Sequence, residues 1–309
     1  MPVGSITPIV EDNLTYTRLT GKDNQLLKTL RKLNRNPEKS SGGLMAIEGV
    51  RVLEEAENSV CEVDAAVITE GFGNESREKN LLERWRARGI RIFQVEEKLF
   101  ASISAVRAPQ GAMALVRVPQ YILDEIPLKE HALILCACGI QDPGNLGTLI
   151  RTAAAAGVDM LLTATGTVSA LNPKTVRASA GAFFSIPVIE RLKTEKIFSY
   201  CERNNIRMYR TGVRAGIRHT QADMASSCAI FLGNEGAGVT EDVLARLPVI
   251  HIPMSGNTES LNVAAAGAIL MFEAVRQRSE FILVNRKHIP QLERGFLSTC
   301  EAPEPQCIQ

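Results

Sequence analysis

Residues 251–271 read His-Ile-Pro-Met-Ser-Gly-Asn-Thr-Glu-Ser-Leu-Asn-Val-Ala-Ala-Ala-Gly-Ala-Ile-Leu-Met. An apolar run from Val249 to Ile252 stops at Pro253 and passes into a Ser/Gly/Asn/Thr loop. Ser260 reads as the N-cap of the alanine-rich helix that follows. Ala264, Ala265, Ala266, Gly267 and Ala268 present almost no side chain, so another backbone or a flat ligand can approach this helix closely. Strand, polar loop and helix start form a ligand-binding geometry, and equally a plain βα turn in front of a packed core helix.

The arrangement recurs twice. Phe231-Leu-Gly-Asn-Glu-Gly-Ala-Gly-Val239 follows the apolar run Ala229–Leu232. Its glycines, Gly233, Gly236 and Gly238, let the backbone lie against a ligand. Their spacing is neither the dinucleotide fingerprint nor the lysine-bearing phosphate loop, which disfavours a Rossmann or nucleotide-hydrolase reading. Glu235 sits among them, where a carboxylate can accept amide hydrogens or orient a basic partner. Ile140-Gln-Asp-Pro-Gly-Asn-Leu-Gly-Thr-Leu-Ile-Arg-Thr-Ala-Ala-Ala-Ala-Gly157 follows the run Ala132–Cys138. Asp142-Pro143-Gly144 is turn chemistry, and Asn145 is expected to cap a helix reaching about Ala156, which Gly157 ends. Arg151 lies six residues beyond Asn145, about 9 Å along the axis at about 1.5 Å per residue. Its side chain can reach back to an anion near the loop, or can snorkel at the surface.

Around these loops, apolar runs at Leu133–Cys138, Met160–Leu162, Ile206–Tyr209, Ala229–Leu232 and Val249–Ile252 alternate with helical stretches. Runs this apolar predict a parallel sheet covered on both faces. Ligands of such sheets bind beyond the carboxyl ends of the strands, where all three loops fall. Upstream, alternating strand and helix signals from Leu44 to Val116 predict a second, small α/β unit. A basic helix precedes it over about Asn24–Arg35. The expected organisation is a flexible start at 1–25, a small domain at 26–118, a linker at 119–130, the parallel-sheet domain at 131–278 and a tail at 279–309.

At 309 residues the chain can bury two cores. Apolar residues make up 45% and charged residues 22%, the balance of a globular protein. The net charge is only +1 and aromatics are 5%. Neither a global field nor stacking platforms can therefore carry nucleic-acid binding, and local charge must do so. The best local patch is Lys28, Arg31, Lys32, Arg35 and Lys39, which could neutralise phosphates or form a solvated face. Arg177 is a further cation of this kind. Seven scattered cysteines include no Cys-x-x-Cys pair and no histidine partner at metal spacing, so buried thiols in a reducing compartment and no metal are expected. Glu11, Asp12 and Asp23 argue against a transit peptide. No apolar run approaches the roughly 20 residues that span a bilayer. A cytoplasmic protein without membrane contact is the expectation.

Taken together, Asn145 through Arg151, Gly233-Asn-Glu-Gly-Ala-Gly238 and Ile252-Pro-Met with Ser260-Leu-Asn-Val263 resemble, in order and spacing, the three motifs of the SpoU family of RNA 2'-O-ribose methyltransferases. Asn172-Pro-Lys-Thr-Val-Arg-Ala-Ser-Ala-Gly181 resembles the family's stretch between the first and second motifs. The basic helix, Leu44-Met-Ala-Ile-Glu-Gly-Val-Arg-Val-Leu-Glu-Glu-Ala56 and Ala108-Pro-Gln-Gly111 resemble the substrate-binding domain of its ribosomal-RNA members.

The resemblance implies a deep trefoil knot in the C-terminal domain, against the general rule for chain paths. It also implies S-adenosylmethionine (AdoMet) as cofactor, held by Leu232, Gly233, Gly238, Ile252, Met254 and Leu261. Arg151, Asn145, Glu235, Ser260 and Asn262 would form the reacting site, and a homodimer would shape it. A guanidinium keeps its charge at any ordinary pH, which suits Arg151 to clamping phosphate or stabilising alkoxide better than to acting as a base. Ribosomal RNA is the implied substrate. Transfer RNA, or a non-catalytic role in RNA binding or ribosome assembly, are the alternatives.

Overall fold

In the computed structural model, which describes residues 7–11, 14–36, 42–213, 216–233, 245–255 and 259–286, the chain begins with a hairpin. β1 (Thr7–Glu11) and β2 (Leu14–Arg18) pair antiparallel, whereas little structure was expected over 1–25. An isolated hairpin is marginal in water. This one gains support because Thr17 and Arg18 pair in parallel with Phe93 and Gln94, and buried Tyr16 lies under the Arg86 guanidinium, 5.4 Å from its ring centre.

The hairpin completes a mixed six-stranded sheet in the order β1-β2-β5-β4-β6-β3. Its other strands are β3 (Leu44–Glu48), β4 (Glu62–Thr69), β5 (Arg91–Val95) and β6 (Ala112–Arg117). The helices α1 (Gln25–Arg35), α2 (Val50–Glu57), α3 (Ser76–Ala87) and α4 (Glu97–Ile103) divide between its faces. Asn24 caps α1 by accepting the Leu26 N–H at 2.9 Å. Leu27, Leu30 and Leu33 point from α1 onto Val67, Val95 and Met113 together with Leu99 and Phe100 of α4. Each such leucine is worth roughly 1.5–3 kcal/mol of burial. The opposite face receives Val52 and Leu53 of α2 and Leu81 and Trp85 of α3.

Past the linker, which holds one 3-10 turn at Leu123–Glu125, the second sheet is parallel at every pairing. Its strands are β7 (Leu133–Ala137), β8 (Met160–Ala164), β9 (Val188–Leu192), β10 (Arg207–Thr211), β11 (Ile217–Arg218), β12 (Cys228–Leu232) and β13 (Val249–His251). The helices are α5 (Pro143–Ala155), α6 (Pro173–Ala178), α7 (Thr194–Arg203) and α8 (Val263–Arg286). Successive residues of a strand serve opposite faces. Leu133 and Leu135 join Leu149, Ile150 and Leu270 under α5 and α8, while Ile134 and Cys136 join Ile197 and Cys201 under α7.

The strand order is β11-β13-β10-β12-β7-β8-β9. From β7 the chain first moves outward through β8 and β9, then returns on the other side through β10 and β12. The direction therefore reverses between β7 and β12. At such a switch point the two connections leave in opposite directions and open a crevice at the carboxyl ends of the strands. The α/β architecture with a parallel C-terminal sheet is as expected. Segment 234–244, on which the threading of a knot depends, lies outside the described residues.

α8 runs beyond the expected end at Arg278. Gln277 accepts the Met224 N–H at 2.9 Å and donates to the Ala222 carbonyl at 3.0 Å. Arg278 donates to the carbonyls of Met224, Ala132 and Ser226. These bonds pin the helix across the amino ends of β7 and β12. Among the described residues no helix is long and apolar enough to cross a membrane.

Candidate functional site

The crevice between β7 and β12 is floored by backbone. Buried Leu232 ends β12, its carbonyl accepting the Cys138 N–H at 2.8 Å, and buried Gly233 follows. The Gly139 N–H, just past β7, donates to Thr167 Oγ1 at 3.0 Å. The end of β7 is thus tied both to the end of β12 and to the turn that follows β8.

α5 opens at the first loop, but its cap is Asp142 and not Asn145. Pro143 occupies the first helical position, where a missing N–H costs nothing, and Asp142 Oδ1 accepts the Asn145 N–H at 2.9 Å. That hydrogen bond, with Lys174 Nζ at 3.3 Å, holds the exposed Asp142 carboxyl below the usual carboxylate range. Asn145 is left with its side chain facing the third loop.

The third loop delivers the counterpart. α8 is capped by Asn262 rather than Ser260. Asn262 Oδ1 accepts the amides of Ala264 and Ala265 at 2.9 and 3.3 Å, and its carbonyl accepts from Ala266. The same side chain donates Nδ2 to Asn145 Oδ1 at 3.0 Å. Two helix N-termini, 117 residues apart in sequence, are thereby joined through their amides.

Gly267 explains how α8 comes so near. A Cβ there would overlap Leu149 Cδ2 of α5 and lie 2.9 Å from Leu232 Cδ1 of β12. A larger side chain would have to push Leu149 and Leu232 aside. Ile252 packs against the same core, Met254 and Leu261 are half-buried, and Ser260 is exposed. Backbone at strand ends, half-buried apolar side chains and two helix N-termini suit an aromatic, polar cofactor such as AdoMet, which needs apolar walls and hydrogen-bonding edges. Glu235 and Gly238 lie outside the described residues.

Arg151 occupies the outward face of α5 with Thr148 and Ala155, exposed, and forms no ion pair among the described residues. It is two turns further along α5 than the loop and roughly 120° around the axis from Asn145, at about 100° per residue. The single chain does not bring these two side chains onto one face. α8 exposes apolar side chains, with Ile269 39% and Phe272 49% exposed.

The candidate RNA cations divide. Lys28, Lys32 and Arg35 form an exposed stripe on α1, with Lys28 paired to Asp23 at 2.9 Å. Arg31 instead bonds the Ser102 carbonyl and hydroxyl of α4 at 3.4 and 3.3 Å. Arg177 is half-buried where α6 meets the N-terminal domain, and Glu48 is the anion facing it. Lys39 lies outside the described residues. Asp142 and Glu48 were missed as organising residues. Proline at the first helical position signals Asp142, and an acid closing the apolar run Leu44-Met-Ala-Ile signals Glu48.

Comparison with known proteins agrees with this geometry. Residues 132–272 match the model of the SpoU rRNA Methylase family, and residues 24–114 match the MRM3-like substrate binding domain. The chain is 33% identical over 253 residues to 23S rRNA (guanosine(2553)-2'-O)-methyltransferase RlmP of Bacillus subtilis, covering 81% of this chain and 95% of that one. A crystal structure described as an RNA 2'-O ribose methyltransferase superposes with a TM-score of 0.71 at 31% identity, covering 85% of this chain and 99% of its own. An AdoMet-bound rRNA methyltransferase from Sinorhizobium meliloti gives 0.73 at 26% identity, covering 84% and 97%. With its first and third loops joined at the β7–β12 crevice and a substrate-binding domain matched upstream, the chain belongs to the SpoU rRNA methylase family.

Proposed function

We propose that the protein transfers a methyl group from AdoMet to a ribose 2'-hydroxyl of large-subunit ribosomal RNA. The observation that carries this reading is the Asn262–Asn145 hydrogen bond at 3.0 Å, which closes the first and third loops over the switch-point crevice. The N-terminal domain and the 23S rRNA named for the Bacillus relative favour ribosomal over transfer RNA. The cytoplasm, where ribosomal RNA is modified, is the proposed location.

When bound, AdoMet supplies a methyl carbon already activated by a positive sulfur, so the chain's work is positioning. Ile252, Met254 and Leu261 would wall the cofactor, and the backbone at Leu232–Gly233 would hydrogen-bond it. Asn145 and Asn262 keep the two helix starts at a fixed separation. Arg151 would clamp a phosphate or steady the developing alkoxide, with Glu235, Ser260 and Gly238 completing the pocket. Lys28, Lys32 and Arg35 would meet RNA phosphates.

Arg151 of α5 and Ile269 and Phe272 of α8 are exposed, and together they would form the surface that a second copy covers. We assign this surface to a homodimer in which the partner completes the site beside Arg151. Ile269 and Phe272 would then leave water on assembly.

The test is direct. The protein is incubated with labelled AdoMet and ribosomal RNA, and ribose methylation is mapped. Label at one 2'-hydroxyl of large-subunit RNA is expected. Label in transfer RNA alone would move the substrate to the alternative, and absence of AdoMet binding by calorimetry would leave the non-catalytic reading.

A further inference from the structure

Glu48 is a carboxylate 6% exposed at the end of β3, and methyl transfer gives it no task. Burial pushes its pKa up, and the groups gathered around it pull the other way. Ser104 Oγ donates to its two oxygens at 3.0 and 2.7 Å. The backbone amides of Ala105 and Gln110 donate to it as well. Glu48 thereby grips both ends of the loop between α4 and β6, whose Arg107, Ala108, Pro109 and Gln110 are exposed.

The remaining neighbour comes from the other domain. Arg177, at the end of α6, has lost part of its solvent to burial, and Glu48 is the charge that offsets this. The two line one cavity of about 10 Å³ with Asn34, Val52, Pro173 and Val176, roughly the space of a single water. A second contact lies nearby. Gly181 adopts φ +91°, and a Cβ there would overlap the Cβ and Cγ of Glu55 on α2. The stretch 172–181 is therefore a joint between the domains.

We propose that Glu48 is a positioning residue that couples the exposed 104–111 loop of the substrate-binding domain to Arg177 of the methylase domain. The loop and the methyl-transfer crevice then keep one relative placement, and RNA held by the first is presented to the second. This rests on the proposed RNA substrate, whereas the coupling itself can be read without RNA.

The experiment compares the full-length wild type with Glu48→Gln, Arg177→Met and the double variant. Amide exchange is followed at 104–111, AdoMet affinity by calorimetry, and kcat and KM on the ribosomal RNA found to be methylated. Arg177→Met should speed exchange at Ala105 and Gln110, in the domain it does not belong to, by about tenfold. KM for RNA should rise about tenfold in each single variant with kcat little changed, and the double should match a single rather than the product of the two. AdoMet affinity should stay within about twofold, well under the tenfold that about 1.4 kcal/mol represents. Wild-type exchange at 104–111 in Arg177→Met overturns the proposal, as does a loss confined to kcat or multiplicative KM effects in the double. Arg177 is only half-buried, so this variant decides the matter even if Glu48→Gln does not fold. A wild type that methylates no RNA refutes the proposed function, while the exchange measurement still decides the joint.

Discussion

Replacing Asn262 tests the centre of the site most sharply, because one side chain does two jobs that can be separated. It caps α8 by accepting from Ala264 and Ala265, and it bridges to Asn145 at 3.0 Å. Losing a cap costs about 1 kcal/mol. Losing a hydrogen bond at an exposed position costs about 0.5–1 kcal/mol. Asn262→Ala should therefore destabilise the methylase domain by roughly 1.5–2 kcal/mol, which lowers Tm by about 3–8 °C for a domain of this size. AdoMet affinity should fall about tenfold, since about 1.4 kcal/mol of preorganisation leaves the third loop. Asn262→Asp keeps the cap, places a carboxylate at a helix N-terminus where it is favoured, and can accept from the Asn145 amide once that group turns over. It should melt within about 1 °C of wild type, given that each °C is only a few tenths of a kcal/mol. Scanning calorimetry with and without AdoMet reads both quantities. Wild-type Tm and affinity in Asn262→Ala, or equal damage from both variants, would refute the bridging account.

Other consequences follow from the same geometry. Gly267→Ala gains about 1 kcal/mol of helix propensity but forces Leu149 and Leu232 aside at about 1–3 kcal/mol, so a net loss near 1 kcal/mol and weaker AdoMet binding are expected in thermal and calorimetric titrations. Arg151→Ala should lower kcat by about 10²–10³, the usual loss of one charge-stabilising donor, with unchanged Tm because the side chain is exposed; near-normal activity with a shifted pH optimum in Arg151→Lys would contradict the clamp. Ile269→Asp with Phe272→Asp should turn a dimer into a folded monomer by sedimentation, and a dimer that survives places the interface elsewhere. Burial holds the Glu48 pKa above its unfolded value, so the folded protein binds that proton more tightly. Its contribution is present below the ordinary carboxylate range and is lost as pH rises through the raised folded value. Glu48→Gln should flatten that part of the Tm–pH curve, and an unchanged curve would refute the assignment.

Much of this protein can be read from short-range pattern. The helices at 50–57 and 97–103 lie within the Leu44–Val116 stretch whose alternating signals predict an α/β unit, and the five apolar runs became parallel strands, because burial on both faces leaves an unmistakable composition. Edge strands escape that logic. β9 carries Glu190 and Arg191, β11 is two residues long, and the β1–β2 hairpin draws support from a strand some 80 positions away. Caps slipped by two or three residues for a related reason. Ser260 and Asn262 are both good caps, and so are Asp142 and Asn145. The choice fell to proline at the first turn in one case and to the Asn145 partner in the other.

By itself the chain determined its class, its central parallel strands and the positions of the three loops that follow them, since these depend on residues close in sequence. Only the tertiary structure decided that Asn145 and Asn262 touch, that Gly267 lets α8 lie on α5 and β12, and that Arg177 faces Glu48 in the joint between domains. Which cation is buried and which amide finds a partner depend on packing between distant segments, and that packing has no local signature for a single sequence to carry.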